Sequence, residues 1–436
     1  MRTVSRHALG LIWLAAASLL RAQSNAVSDS LPWDQDPPAQ LAFARAAAIA
    51  SLGQQLFFDE GLSASGRQSC ATCHSASNHF APTNTLSTQL GGSSLSSQGT
   101  RATPGLTYVA STPFFSEHYY ESDDEGDESV DQGPTGGRTW DGRVNRARDQ
   151  APIPLLSANE MANAREAAVV AHASQAPYAG QMKQLYGDDV FDQQQRAFAA
   201  IGEALEAFQQ TPGLFSPFTS KYDAVLRGQA RLTARENRGL QAFNDPAKGN
   251  CAHCHKSQLS PARNLPMFTD SGLVAIGVPR NPEIPANADP GFFDLGACGP
   301  ERKDLKDRAE FCGLFKAPTL RNVATRKAFY HNGVFHTLEQ AVAFYATRDT
   351  RPERWYPRGP DGTVRKFDDL PRAYWGNVSF EPPFGGSPGG KPALSDRDVM
   401  DIVAFLRTLT DGYQPRAGAS VTAAGDRTGS AAALRR

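Results

Sequence analysis

The sequence predicts a mainly α-helical fold of two similar units with long ordered loops, and three observations carry that prediction. At 436 residues the chain exceeds what one core usually holds. A helical apolar pattern followed by a short cysteine and histidine motif occurs twice, about 180 residues apart. Gly (38) and Pro (30) run somewhat above average usage, while the apolar content is that of a globular protein. Lys plus Arg (44) balance Asp plus Glu (45), so the chain offers no global field for nucleic acid or an anionic membrane.

Taken in order, Arg2 and Arg6 precede an apolar run over residues 8–20, and polar sequence resumes at Arg21, Ala22, Gln23 and Ser24. This is a secretory signal pattern, with residues 1–22 removed near Ala22. Leu20 stands where a small residue is usual, so an uncleaved N-terminal anchor is the alternative. The run is shorter than the roughly 20 residues a spanning helix needs, and the mature chain is expected to be exported and not membrane-spanning. Residues 23–38 read as a flexible leader. Helical pattern begins near Ala39, and Leu41 to Leu56 is Ala-rich with apolar residues at helical spacing.

The first motif follows: Cys70-Ala71-Thr72-Cys73-His74. Its counterpart is Cys251-Ala252-His253-Cys254-His255. In C-x-x-C-H the two thiols form thioethers with haem vinyl groups and the histidine ligates the iron, so two covalently bound haem c groups are expected. A zinc site usually needs a second ligand pair nearby, and a redox dithiol needs a βαβ frame; neither is visible. Cys298 and Cys312 remain, neither followed by His. In an oxidising compartment they are expected to pair, closing a loop of about 15 residues worth on the order of 3 kcal/mol.

Helices are expected over residues 159–174 and 193–210, then a turn at Thr211-Pro212-Gly213, so the first cytochrome c-like unit spans 39–215. The second spans 216–413. Its entry helix covers 233–243, and its last helix has Ser395 as N-cap, Asp398 as capping-box partner, and Val399, Ile402, Val403, Leu406 and Leu409 on one stripe. Residues 414–436 read as a disordered tail. Seven acidic residues between Glu121 and Asp131 mark a solvated loop, either a surface insertion or a docking site for a basic partner.

Beyond these motifs the sequence resembles the bacterial dihaem cytochrome c peroxidase and MauG family over nearly the whole mature chain. The resemblance is carried by Leu52-Gly53-Gln54-Gln55-Leu56-Phe57-Phe58-Asp59, by Trp140-Asp141-Gly142-Arg143, Gln150 and Asn159-Glu160-Met161, by Lys316-Ala317-Pro318-Thr319-Leu320-Arg321-Asn322-Val323, and by His331-Asn332-Gly333-Val334-Phe335. It implies a peroxide-reactive haem on His74, an electron-transfer haem on His255, and Trp140 as the bridge between them. It also implies Glu160 as the acid-base residue that moves a proton during O–O cleavage, Gln150 as its hydrogen-bonding neighbour, and Pro154 packed over the pocket. From the residues alone, Glu160 also reads as a helix N-terminal carboxylate and Trp140 as a core aromatic.

Departures from the family pattern bear on function. Tyr345 stands where peroxidases carry a methionine ligand to the second haem, a substitution that resembles MauG; Met267 and Met400 are rival ligands, with Met400 expected in the core of the last helix. Gly249 stands where the protein-oxidising MauG type carries a surface tryptophan. At the family's calcium site Ala102 replaces asparagine and Arg326 replaces threonine, leaving the Ala328 carbonyl, so calcium is doubtful. His79, His118, His172, His331 and His336 read as surface or structural residues. The resemblance implies a periplasmic enzyme that reduces hydrogen peroxide with electrons from a small c-type cytochrome or cupredoxin. The alternatives are MauG-like oxidation of a protein or organic substrate, and a dihaem electron carrier without peroxide chemistry.

Overall fold

A computed structural model describes residues 37–120 and 131–414. The expected signal peptide, nearly all of the leader and tail, and the acidic residues from Glu121 to Glu128 lie outside the described residues. The chain divides into two compact units, Met1–Ala48 and Ile49–Arg436. Helix α1, Pro37–Phe58, runs through that boundary. By length and composition alone it would reach across a membrane. Its last turns carry Leu52, Leu56 and Phe57, all essentially inaccessible and part of a protein core.

Within the unit from Ile49 onward, the chain forms helices α2 (Ala147–Gln150), α3 (Pro152–Leu156), α4 (Glu166–Ala173), α5 (Ala179–Tyr186), α6 (Gln194–Gln209), α7 (Ala234–Asn244), α8 (Leu338–Thr347) and α9 (Asp396–Arg407), besides short helices at Cys70–Cys73, Pro212–Phe215 and Lys221–Leu226 and several single turns. Sheet is confined to two antiparallel pairs: β1 (Leu90–Gly91) with β2 (Ser97–Gln98), and β3 (Leu273–Val274) with β4 (Phe315–Lys316). The fold is mainly α. Apolar side chains gather in two large cores, one drawn from residues 49–215 and one from 222–409, and in a smaller cluster around a Cys298–Cys312 disulfide.

The two large cores are built alike. In the first, α1 crosses α6 so closely that a Cβ at Gly53 would lie 1.8 Å from the Ala204 carbonyl oxygen. In the second, α7 crosses α9, and a Cβ at Gly239 would lie 1.9 Å from the Asp401 oxygen. One turn beyond each crossing a phenylalanine pair seals the contact: Phe57 with Phe208 at 5.2 Å, and Phe243 with Phe405 at 5.3 Å between ring centroids. A third ring completes each set, Phe80 in the first and Phe268 in the second.

Helix α9 begins at the expected cap: Ser395 Oγ accepts from the Asp398 N–H, and the Asp398 carboxylate accepts from the Ser395 N–H. All five residues of its stripe are buried. The helix expected over 159–174 is shorter, beginning only at Glu166. Residues before it are held in a turn by the bond from Glu160 N–H to Ser157 O, by Ala162 in the left-handed region (φ 57°), and by the Asn163 side-chain amide donating to Leu62 O and Leu155 O. Those tertiary bonds outcompete helix propagation. Glu160 is therefore a turn residue and not a helix-end carboxylate.

Candidate active site

Cys70 to Cys73 form one helical turn entered at Ser69, whose N–H donates to Thr72 Oγ1, and the His74 N–H donates to Cys70 O. The chain then folds back so that His74 Nδ1 lies 3.2 Å from Phe80 O. Burial, with Arg326 nearby, pulls the His74 pKa down to about 4 although the carbonyls of Phe80 and Pro104 oppose it, so the ring is neutral. The second motif repeats the device: His255 Nδ1 lies 2.9 Å from Phe268 O, and burial lowers its pKa too. A neutral imidazole that donates through Nδ1 to a carbonyl presents its Nε2 lone pair outward, which is how ligating histidines are held. Phe80 and Phe268 thus serve twice, through a ring in the core and a carbonyl on the histidine.

The four motif thiols are unpaired although Cys298 and Cys312 are joined. Burial pushes Cys70, Cys251 and Cys254 up to about 12 and Cys73 to about 11, so all are neutral thiols. Two adjacent thiols beside one oriented neutral histidine, presented twice, suit haem attachment and ligation.

An apolar cavity of about 320 Å³ opens beside the second motif and is lined by Cys251, Cys254, His255 and Tyr345. Tyr345, on α8, stacks on Phe384 at 5.2 Å, and its hydroxyl makes no hydrogen bond with the described residues. Burial and the Cys254 and Cys251 sulfurs raise its pKa. Neither rival methionine lines this cavity. Met400 is 40% exposed, against the expectation that it is core, because it falls on the outer face of α9 opposite the apolar stripe.

The same cavity extends to Trp140 and Gln150. Trp140 is fixed by its indole N–H donating to Ala102 O at 2.7 Å, and Gln150 ends α2 with its amide oxygen accepting from Arg138 Nε at 2.8 Å. Glu160 does not line it. Its turn is clamped against β1, where Gly92 N–H donates to Glu160 O at 2.7 Å and a Cβ at Gly91 would meet the Glu160 Cα at 2.8 Å. The carboxylate stands near the first motif, close enough to raise the Cys70 and Cys73 pKa values. The side chain is reached by solvent, yet surrounding protein desolvates it enough to raise its own pKa, against the opposing Ser157 hydroxyl and Arg143.

Several cavity residues carried no distinguishing pattern in the sequence. Lys316 on β4 lines the cavity, and burial with Arg138 beside it lowers its pKa to about 7. His79, expected at the surface, is half-buried and lines the cavity, since its left-handed backbone (φ 53°) turns the chain inward. His331 is buried with its ring stacked 3.5 Å from Phe315. The resemblance had marked Lys316 and His331 only as members of motifs.

A mainly helical protein with two matched cysteine and histidine sites, one opening on a deep apolar cavity, is thereby defined. Residues 47–231 match the family described as Di-haem cytochrome c peroxidase. The chain is 35% identical over 379 residues to the methylamine utilization protein MauG of Paracoccus denitrificans, covering 84% of this chain and 90% of that one. It is 29% identical over 298 residues to a cytochrome c551 peroxidase of Nitrosomonas europaea, covering 68% and 72%. Among solved structures it is similar to the diheme peroxidase BthA of Burkholderia thailandensis, at 40% identity, with a TM-score of 0.74 and coverage of 83% and 86%. The chain belongs to the dihaem cytochrome c peroxidase and MauG family, and is an oxidoreductase with two haem groups as the family's cofactors.

Proposed function

We propose that this protein is a periplasmic dihaem peroxidase that reduces hydrogen peroxide to two waters, taking two protons and two electrons, the electrons coming from a small c-type cytochrome or cupredoxin. Residues 39–215 and 216–413 form its two cytochrome c-like halves, with haem c attached through Cys70 and Cys73 in one and Cys251 and Cys254 in the other. The observation that carries this reading is the repeated neutral histidine, His74 and His255, each oriented through Nδ1 by a phenylalanine carbonyl. Haem iron, when bound, supplies the redox chemistry.

Around it the chain's own residues have distinct tasks. Glu160, with its raised pKa and solvent access, takes a proton from the inner peroxide oxygen and returns it to the outer one. Gln150 is oriented for hydrogen bonding by Arg138, and Trp140, locked to Ala102 O, keeps a fixed ring in the cavity to carry electrons between the two sites. Tyr345, which lines the cavity beside His255 where no methionine does, would with His255 hold the haem bound there.

Tyr345 also favours a second reading, MauG-like oxidation of another molecule, since phenolate suits ferric and higher iron. Gly249 weighs against a protein substrate reached through a tryptophan there: a Cβ at Gly249 would lie 2.6 Å from Ala242 O. Stopped-flow mixing of the haem-loaded enzyme with peroxide, followed by turnover with candidate donors, tests the proposal. Rapid spectral change with donor-dependent peroxide consumption is expected. An unchanged spectrum would make the protein an electron carrier, and reaction without any donor turnover would favour the second reading.

A further inference from the structure

By the resemblance drawn from the sequence, a calcium ion would sit among the side chains at 102 and 326 and the carbonyl of residue 328. The residues present do not fit one. Ala102 is 1% exposed and supplies no side-chain oxygen, and the adjoining cavity of about 10 Å³ has room for no more than one water. The described residues include no group of three or more His, Cys, Asp or Glu side chains placed to hold a metal. Calcium takes six to eight oxygens, usually with carboxylates among them.

What stands there is the Arg326 guanidinium. Its Nε donates to Ala328 O at 3.2 Å and its Nη2 donates to Thr103 O at 3.1 Å. It makes no ion pair with a described carboxylate, and burial lowers its pKa only to about 10, so it remains a cation. The two carbonyls belong to segments more than 200 residues apart in sequence, joined through one planar group. The segment it grips is the one that positions the cavity: the Ala102 N–H donates to His331 O at 2.6 Å and Ala102 O receives the Trp140 indole N–H.

We infer that Arg326 is a built-in cation at this junction, tying residues 102–104 to residues 326–328 in place of a bound divalent ion. The guanidinium meets the carbonyl oxygens that would otherwise face an ion, and being covalent it cannot be chelated away. Its fork reaches two acceptors at once, which an ammonium of similar length does not. The inference goes beyond the proposed peroxidase reading and does not depend on it.

Thermal melting of the haem-loaded protein is the test. With the parent, neither excess EGTA nor millimolar calcium chloride should move the melting temperature by more than about 1 °C, since no linked ion is gained or lost. Arg326→Ala should melt about 5 °C lower through loss of two charged hydrogen bonds, and methylguanidinium, but not calcium, should recover part of that fall. Should Arg326→Ala not accumulate, Arg326→Lys should melt below the parent and stay indifferent to calcium. A parent destabilised by EGTA, a variant melting like the parent, or a variant rescued by calcium would each overturn the inference.

Discussion

Glu160 shows how little of a side chain's task resides in its own neighbourhood of the sequence. The carboxylate is set by a clamped turn between α3 and α4, and that turn exists because Asn163 and Gly92 bond to distant carbonyls. Glu160→Gln keeps the shape but cannot accept and return a proton. Peroxide-driven spectral change should slow by roughly 100-fold or more, with haem content and melting temperature near those of the parent. Tyr345→Met should shift the ferrous spectrum of the His255 haem to the methionine-ligated type and raise its potential, measured by redox titration; an unchanged spectrum would remove Tyr345 from the ligand set. At this scale the cysteines and histidines were legible because C-x-x-C-H is a strictly local spacing. Lys316 and His79 were not, since what makes them cavity residues is β4 packing beside Trp140 and one left-handed residue, neither encoded by neighbours in sequence.

Between elements, the decisive contacts are two helix crossings that only glycine permits. Gly53 and Gly239 let α1 meet α6 and α7 meet α9 backbone to backbone, and the phenylalanine one turn on in each partner then fills the seam. Gly239→Ala must push α7 off α9, costing about 1–3 kcal/mol or more by overpacking and disturbing the Phe268 that holds His255. Gly180→Ala, on α5 with nothing within 4 Å of the new Cβ, should instead stabilise by about 0.5–1 kcal/mol. Denaturant midpoints for the two variants, with haem content measured alongside, check the contrast. The α9 cap and stripe were readable because both are local patterns. The Gly53 crossing was not: its acceptor, Ala204, lies far along the chain and carries no mark of its own.

Over the whole molecule, distant segments are fastened by buried aspartate and arginine pairs. Arg101 holds both Asp141 and Asp294 at 2.6 Å, Arg143 holds Asp141 at 2.8 Å, and the fully buried Arg321 holds Asp223 at 2.9 Å while stacking over Tyr108 and Phe218. No local pattern announces such pairs, so this fastening, which runs between loops more than between the helices, was invisible in the sequence. Burial raises each of these carboxyls, but the guanidinium charges overcome it: Asp141 falls from 3.8 to about 2, and Asp223 and Asp294 also fall. A carboxyl whose folded pKa lies below its unfolded value stabilises the protein fully above the unfolded value. As pH drops from about 4 to about 2 the unfolded chain takes up protons first, and the Asp141 share, about 2 kcal/mol, is lost. Melting temperature should therefore be nearly flat from pH 7 to 5 as far as these groups are concerned, and fall steeply below pH 4. Asp141→Asn should melt lower than the parent at pH 7, because Arg101 and Arg143 lose a shared buried partner, while the gap to the parent narrows in acid. Parallel curves for the two proteins would assign the acid sensitivity to other groups.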